Sequence, residues 1–180
     1  MISTDRLTIR PFTKDDGRDL YEYLSNPAIY RYEPGEPISL EQAVVLAGER
    51  ANTNRFFAVV LMNTGKMIGH LYFNQIEPPS LRTWELGYIM NPAYQQKGYT
   101  TEAAVGLLKW AFPTHNIHRV VAFCNPENTA SWKVLEKIGM RREGILKKNI
   151  FFMKRPDGAE LWTDTYEYAM LEEEAKEKLG

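Results

Sequence analysis

The chain has a single cysteine, Cys124, so no internal disulfide can form, and the composition fits a reducing compartment. It has no apolar run near the roughly 20 residues that a membrane-spanning helix needs. Its first residues, Met1-Ile2-Ser3-Thr4-Asp5, lack the basic and apolar regions of a signal peptide. The expectation is a cytoplasmic protein. Charge of one sign is missing too: 22 Lys and Arg against 23 Asp and Glu leave a net charge of -1. Basic residues cluster only briefly, at Arg141-Arg142 and Lys147-Lys148, so neither nucleic acid nor a membrane surface is expected as partner. The three histidines, His70, His115 and His118, lack metal-ligand spacing, and no metal is expected. Neither G-x-x-x-x-G-K-[ST] nor G-x-G-x-x-G occurs ahead of any helix-like segment. Internal repeats, low-complexity tracts and linkers are missing as well. At 180 residues, 44% hydrophobic and 25% charged, the chain reads as one domain over 1–180 with a proper core.

What is present is organised around residues 84–144. Trp84 to Met90 reads as a strand that Asn91-Pro92 stops. Ala103, Ala104, Leu107, Leu108 and Ala111 then recur at helical spacing, with Pro113 expected to end the helix. A loop containing Gly98 joins the two, Gln95-Gln96-Lys97-Gly98-Tyr99-Thr100-Thr101. Such a loop turns backbone N–H groups toward one point at a helix N-terminus, which suits a phosphate or pyrophosphate. Alternatively, Gly98 only permits a tight turn. Ile117 to Cys124 reads as a second strand, and a helix with Ala130, Val134, Leu135 and Ile138 on one face follows, ended by Gly139. This order fits neighbouring parallel strands joined by a crossover helix.

Elsewhere, Leu7, Ile9 and Pro11 mark a first strand, and Thr13 with Asp16 marks a helix start whose stripe is Leu20, Tyr23 and Leu24. Tyr30 to Pro37 reads as a loop. Ser39 and Gln42 form a capping-box pattern that opens a helix to about Asn52. Phe56–Met62 and Met67–Gln75 read as a hairpin. Arg141–Met153 and Leu161–Met170 read as two long strands about the turn Arg155-Pro156-Asp157-Gly158. Glu172/Lys176 and Glu174/Lys178 stand four apart on a terminal helix. The class is α/β, with a mixed and mostly antiparallel sheet around a central parallel pair, flanked by helices.

Gln95-Gln96-Lys97-Gly98-Tyr99-Thr100 resembles the acetyl-CoA loop of the GNAT superfamily of N-acetyltransferases, with Thr100 where a smaller residue is usual. Pro126-Glu127-Asn128-Thr129-Ala130-Ser131, Leu135 to Met140, and Thr4 to Phe12 are similar to the subgroup of RimJ- and RimL-like ribosomal-protein N-terminal acetyltransferases. The resemblance is weakest from Pro27 to Arg55. It implies a splayed parallel pair with acetyl-CoA in the gap. It also implies coenzyme contacts from the backbone of Ile89 and Met90, from Gln95, Gln96, Lys97, Gly98, Tyr99, Thr100 and Thr101, and from Asn128 and Ser131.

Acetyl transfer from a thioester to an amine needs a proton acceptor for the amine, donors for the oxyanion and a donor for the departing sulfur. The resemblance makes Glu85 the candidate base; a solvated strand glutamate is the alternative. Many relatives carry a donor tyrosine where this chain has Leu135, and Ser131 matches the serine of RimL-like proteins. Asn128 and Asn125 are competing helix caps. Tyr32 and Glu33 read either as an acceptor-binding lip, since aromatic faces and carboxylates hold a cationic amine, or as a plain surface loop. Lys133 reads either as a neighbour of the coenzyme phosphates or as a solvated lysine. The activity implied is transfer of acetyl from acetyl-CoA to a primary amine, a protein N-terminus for example. A small amine such as a polyamine or amino sugar, or a non-catalytic acyl-CoA sensor, are the alternatives. A monomer or homodimer fits either.

Overall fold

The hydrophobic alternation and turn residues organise the molecule as strands first. The computed structural model describes residues Met1–Gly180. Eight strands run in the order β1-β2-β3-β4-β5-β6-β8-β7. They are β1 (Ile2–Ser3), β2 (Leu7–Pro11), β3 (Phe56–Leu61), β4 (Met67–Gln75), β5 (Thr83–Met90), β6 (Arg119–Cys124), β7 (Arg141–Ile150) and β8 (Thr163–Leu171). All neighbours pair antiparallel except β5 and β6. Helices α1 (Gly17–Leu24), α2 (Leu40–Ala51), α3 (Tyr99–His115), α4 (Thr129–Lys137) and α5 (Glu172–Leu179) cover the faces. No helix is long and apolar enough to cross a membrane.

Strand alternation divides the core in two. Trp84, Leu86, Tyr88 and Met90 of β5 turn to the cluster built with Ala103, Ala104, Leu107, Leu108 and Ala111 of α3. Ile89 points the other way, against the cluster of Leu20, Tyr23 and Leu24 from α1 and Ala47 from α2. His70 is buried in that second layer, 2.7 Å from the Tyr23 hydroxyl through Nδ1, and burial holds it well below the usual histidine range. It is a neutral core residue.

The parallel contact is short. Thr83↔Arg119, Trp84↔Val120 and Glu85↔Val121 are its only pairs, so β5 and β6 part company after Glu85. At the far end of β5, Gly69 of β4 lies so close to the Ile89 carbonyl that a Cβ there would sit 2.5 Å from it.

Several expectations need correction. Pro113 does not end α3, which runs on to His115. A proline removes the bond to the carbonyl four residues back and crowds that carbonyl, yet leaves the other bonds of the turn in place. This one lies in the last turn, where Thr114 Oγ1 donates to the Trp110 carbonyl at 2.5 Å and Asn116 closes the helix in the left-handed region at φ 50. A 3-10 turn over Pro27–Arg31, capped by the Asn26 side chain, takes in the first two residues of the loop expected from Tyr30, which begins instead at Tyr32. The C-terminal strands stop at Ile150 and start at Thr163, well short of the predicted hairpin turn. Glu172 and Lys176 pair at 2.7 Å as expected, but Glu174 pairs with Arg141 while Lys178 donates to the Gly139 carbonyl at 2.9 Å.

Candidate active site

The parting of β5 and β6 opens a cleft of about 610 Å³. Its walls are the end of β5, the loop into α3, the start of α4, and the segment around Tyr32. The loop wall is backbone. Gln96 and Gly98 both take positive φ, 60 and 82, and Gly98 caps α3 with no side chain to satisfy the helix. Only Gly adopts φ 82 without strain. The first N–H groups of a helix have no partner within it, so the amides at Tyr99, Thr100 and Thr101 are left facing the cleft that those residues line. The helix dipole adds partial positive charge there.

A clamp behind this loop fixes it. Glu102 in the first turn of α3 accepts from Thr4 Oγ1 at 2.6 Å, from the Arg6 amide at 2.8 Å and from Arg6 Nε at 2.7 Å. Arg6 also donates to the Lys97 carbonyl at 3.1 Å and lies over the Tyr99 ring at 4.5 Å. These bonds hold the Glu102 carboxyl below its ordinary range despite partial burial, the Thr4 bond contributing most against that burial. On the strand side, Gln95 Nε2 donates to the Met90 carbonyl at 3.0 Å, tying the loop to the end of β5.

The α4 wall carries the hydroxyls. Asn128 is the cap of α4, its Oδ1 accepting from the Ser131 amide at 3.2 Å, while Asn125 Oδ1 takes the Glu127 amide at 2.8 Å. Asn128 lines the cleft, and its side-chain N–H2 has no partner within the protein. The Tyr88 phenol donates to the Ser131 carbonyl at 2.9 Å and lies 3.1 Å from Ser131 Oγ. A phenol has one proton, and a carbonyl can only accept, so the Ser131 hydroxyl donates in the second bond. Burial raises the Tyr88 phenol and keeps it protonated. Cys124 nearby is buried and its thiol is pushed up to about 11, which leaves it no nucleophile. Leu135 is buried core and offers no proton.

The structure thus brings together Ile89, Met90, Gln95, Gln96, Gly98, Tyr99, Thr100, Thr101, Asn128, Ser131, Tyr32 and Glu33, with Lys133 beside them. Two residues singled out by sequence stand apart. Lys97 folds away from the cleft, its Nζ donating to the Ala93 carbonyl at 3.0 Å. Glu85 sits where the parallel pairing ends, half-buried, its carboxyl raised by burial, and it does not line the cleft. Sequence reasoning missed Tyr88, although its alternation with Leu86 and Met90 placed it on the α3–α4 face. It also missed the Thr4–Arg6–Glu102 clamp, for which no local pattern exists.

Comparison with known proteins gives this architecture a context. Residues 6–141 match the family model described as "Acetyltransferase (GNAT) domain". The uncharacterized N-acetyltransferase YnaD of Bacillus subtilis is 41% identical over 174 residues, spanning 96% of this chain and 98% of that protein. The [Ribosomal protein uS5]-alanine N-acetyltransferase of Escherichia coli is 26% identical over 157 residues, spanning 81% of this chain and 80% of that enzyme. Among solved structures, an acetyltransferase (GNAT family) from Bacillus anthracis superposes with a TM-score of 0.86 at 39% identity, covering 96% of this chain and 98% of that one.

Proposed function

The chain belongs to the GNAT acetyltransferase family of N-acetyltransferases, and from that premise we propose that its cleft holds acetyl-CoA and passes the acetyl group to the α-amine of a polypeptide N-terminus. The observation that carries the donor half is the uncapped start of α3, with left-handed Gly98 at the cleft wall. Backbone amides there suit a pyrophosphate. The gap between the diverging strands leaves the ends of β5 backbone groups for a pantetheine arm, and Asn128 offers its free side-chain N–H2 on the other wall. Bound there, acetyl-CoA supplies an activated acyl group as a thioester.

The residues of the chain then have three tasks. The backbone at Ile89 and Met90 orients the acyl end. Ser131, placed by Tyr88, swings its one hydroxyl proton from the Tyr88 oxygen to the sulfur as the C–S bond breaks. A carboxylate receives the proton that the ammonium must lose before its lone pair can attack. Holding the two reactants together contributes most of the remaining acceleration.

Choice of an α-amine over a polyamine rests on the charge of the lining. Glu33 and Glu127 are offset by Lys133 and Lys137, which leaves no acidic trough for a polycation. An α-amine also titrates near ~8 rather than ~10.4, so it surrenders its proton more readily to a carboxylate. The likeness to the uS5-alanine enzyme supports the same choice. The experiment is release of free CoA from acetyl-CoA with three acceptors: peptides with free N-termini, a polyamine and an amino sugar, with products read by mass. Acetylated peptide is expected. Turnover confined to the polyamine or amino sugar would replace the acceptor, and tight acetyl-CoA binding with no turnover would favour a sensor.

A further inference from the structure

The Tyr32–Glu33 segment leaves the α1 face and crosses to α4. Tyr32 Oη donates to the Glu127 carbonyl at 3.4 Å, just ahead of the α4 cap, and both Tyr32 and Glu33 line the cleft. Glu33 is thereby placed on the same cavity as Tyr88 and Ser131. It has no hydrogen bond or ion pair within the protein. The titratable groups that line the same cavity include Tyr88 from β5, Tyr94 from the loop, and Glu127, Lys133 and Lys137 from the α4 wall, and Arg31 stands on Glu33's own segment. Arg31 is turned against the Tyr32 ring at 5.0 Å. The cleft lysines balance its net charge, but none forms an ion pair with the Glu33 carboxylate, and a sheltered carboxylate without a direct partner favours either protonation or a bound cation.

We infer that Glu33, rather than Glu85, is the group that takes the proton from the acceptor ammonium. Position along β5 argues against Glu85: it is four residues from Ile89, about 13 Å along an extended strand, at the closed apex of the cleft. Glu33 lines the cavity together with Tyr88 and Ser131, and Glu85 does not line it. Burial alone pushes the Glu33 carboxyl up to about 7, close enough to an α-amine for productive transfer at neutral pH. In the step itself, one ammonium proton moves to Glu33 and the freed lone pair forms the N–C bond. The C–S bond then breaks, the second proton leaving nitrogen accompanies the sulfur as thiol, and Glu33 releases its own proton to solvent.

This assignment rests on the acetyltransferase reading above, and its test separates the two. Steady-state rates with a free-N-terminus peptide would be followed from about pH 6 to 9 for wild type, Glu33→Gln, Glu33→Asp and Glu85→Gln, with acetyl-CoA affinity measured by calorimetry. Below its raised range Glu33 is protonated and cannot accept, so the wild-type rate should climb through about pH 7. For Glu33→Gln, kcat at pH 7 should fall about 10²-fold, and the deficit should shrink as the amine loses its proton unaided. Acetyl-CoA affinity should hold, and Glu33→Asp should recover part of the rate. Glu85→Gln should stay within about threefold of wild type, far short of the loss of a general base. A Glu33→Gln enzyme with unchanged kcat and a raised acceptor KM would make Glu33 an anchor and overturn the assignment. A pH-dependent collapse in Glu85→Gln instead would overturn it as well. Failure of the wild type to acetylate any peptide would remove the functional reading first and this assignment with it.

Discussion

The two walls of the cleft are built in opposite ways. The wall at the start of α3 is backbone, locked from behind by Glu102, which gathers Thr4 and Arg6 through three hydrogen bonds and an ion pair. The wall at residues 27–33 is side chain, held by the Asn26 cap, the Tyr30 hydroxyl on the Leu24 carbonyl at 2.8 Å and the longer Tyr32 contact to Glu127. A rigid backbone wall suits a ligand that never changes. A lightly tied wall of side chains suits a ligand whose identity varies between relatives, because single substitutions re-shape it without disturbing the sheet.

The contrast is broken most directly at Gly98. Gly98→Val should weaken acetyl-CoA binding about 10³-fold or abolish it, since a β-branched residue resists φ 82 and crowds the amides. Lys97→Ala should cost only about twofold, the size of a lost exposed contact. Equal losses in calorimetry would mean that charge, not backbone, holds the donor.

Next in size is Ser131→Ala, expected to slow turnover about 10²-fold with acetyl-CoA affinity retained. Asn128→Ala is the control: it removes the α4 cap at a cost of about 1 kcal/mol, read as a lower Tm. Unchanged turnover in Ser131→Ala would leave that serine a mere partner of Tyr88. The smallest effects compare the walls themselves. Glu102→Ala should weaken acetyl-CoA binding about tenfold by loosening the clamp. Tyr32→Phe should leave that affinity alone and raise the acceptor KM about twofold. The reverse pattern would exchange the roles of the walls.

The same contrast explains what could be read from the sequence. The strand–loop–helix at 84–115 announces itself through alternation, Gly98 and helical spacing, because each of its signals is local. The caps at Ser39 and Gly139 were readable for the same reason, and Ser39 does accept from the Gln42 amide while Gly139 takes φ 91. The clamp was not readable, since Arg6 and Glu102 meet across 96 residues. Nor was the position of Lys97, which the resemblance placed at the coenzyme but whose Nζ donates to the Ala93 carbonyl. Pro113 misled because the penalty of proline depends on where in the helix it stands, which pattern alone does not fix. The insertion of β8 between β6 and β7 escaped as well: a hairpin fixes which strands pair, not which of them meets the rest of the sheet.

That insertion bears on how the molecule comes to be assembled. Strands β1 to β5 neighbour one another in the order in which the chain emerges, so each can join a partner already made. After β6 the order is lost. β7 is synthesised second to last, yet the only strand it pairs with is β8, and until β8 arrives β6 also has an open edge. A growing chain would therefore carry two strands, β6 and β7, with unpaired edges through the synthesis of residues 141–162, the condition that invites wrong pairing. β7 carries the exposed charges Arg142, Lys147 and Lys148, which discourage a stray strand from adding there while the last one is awaited.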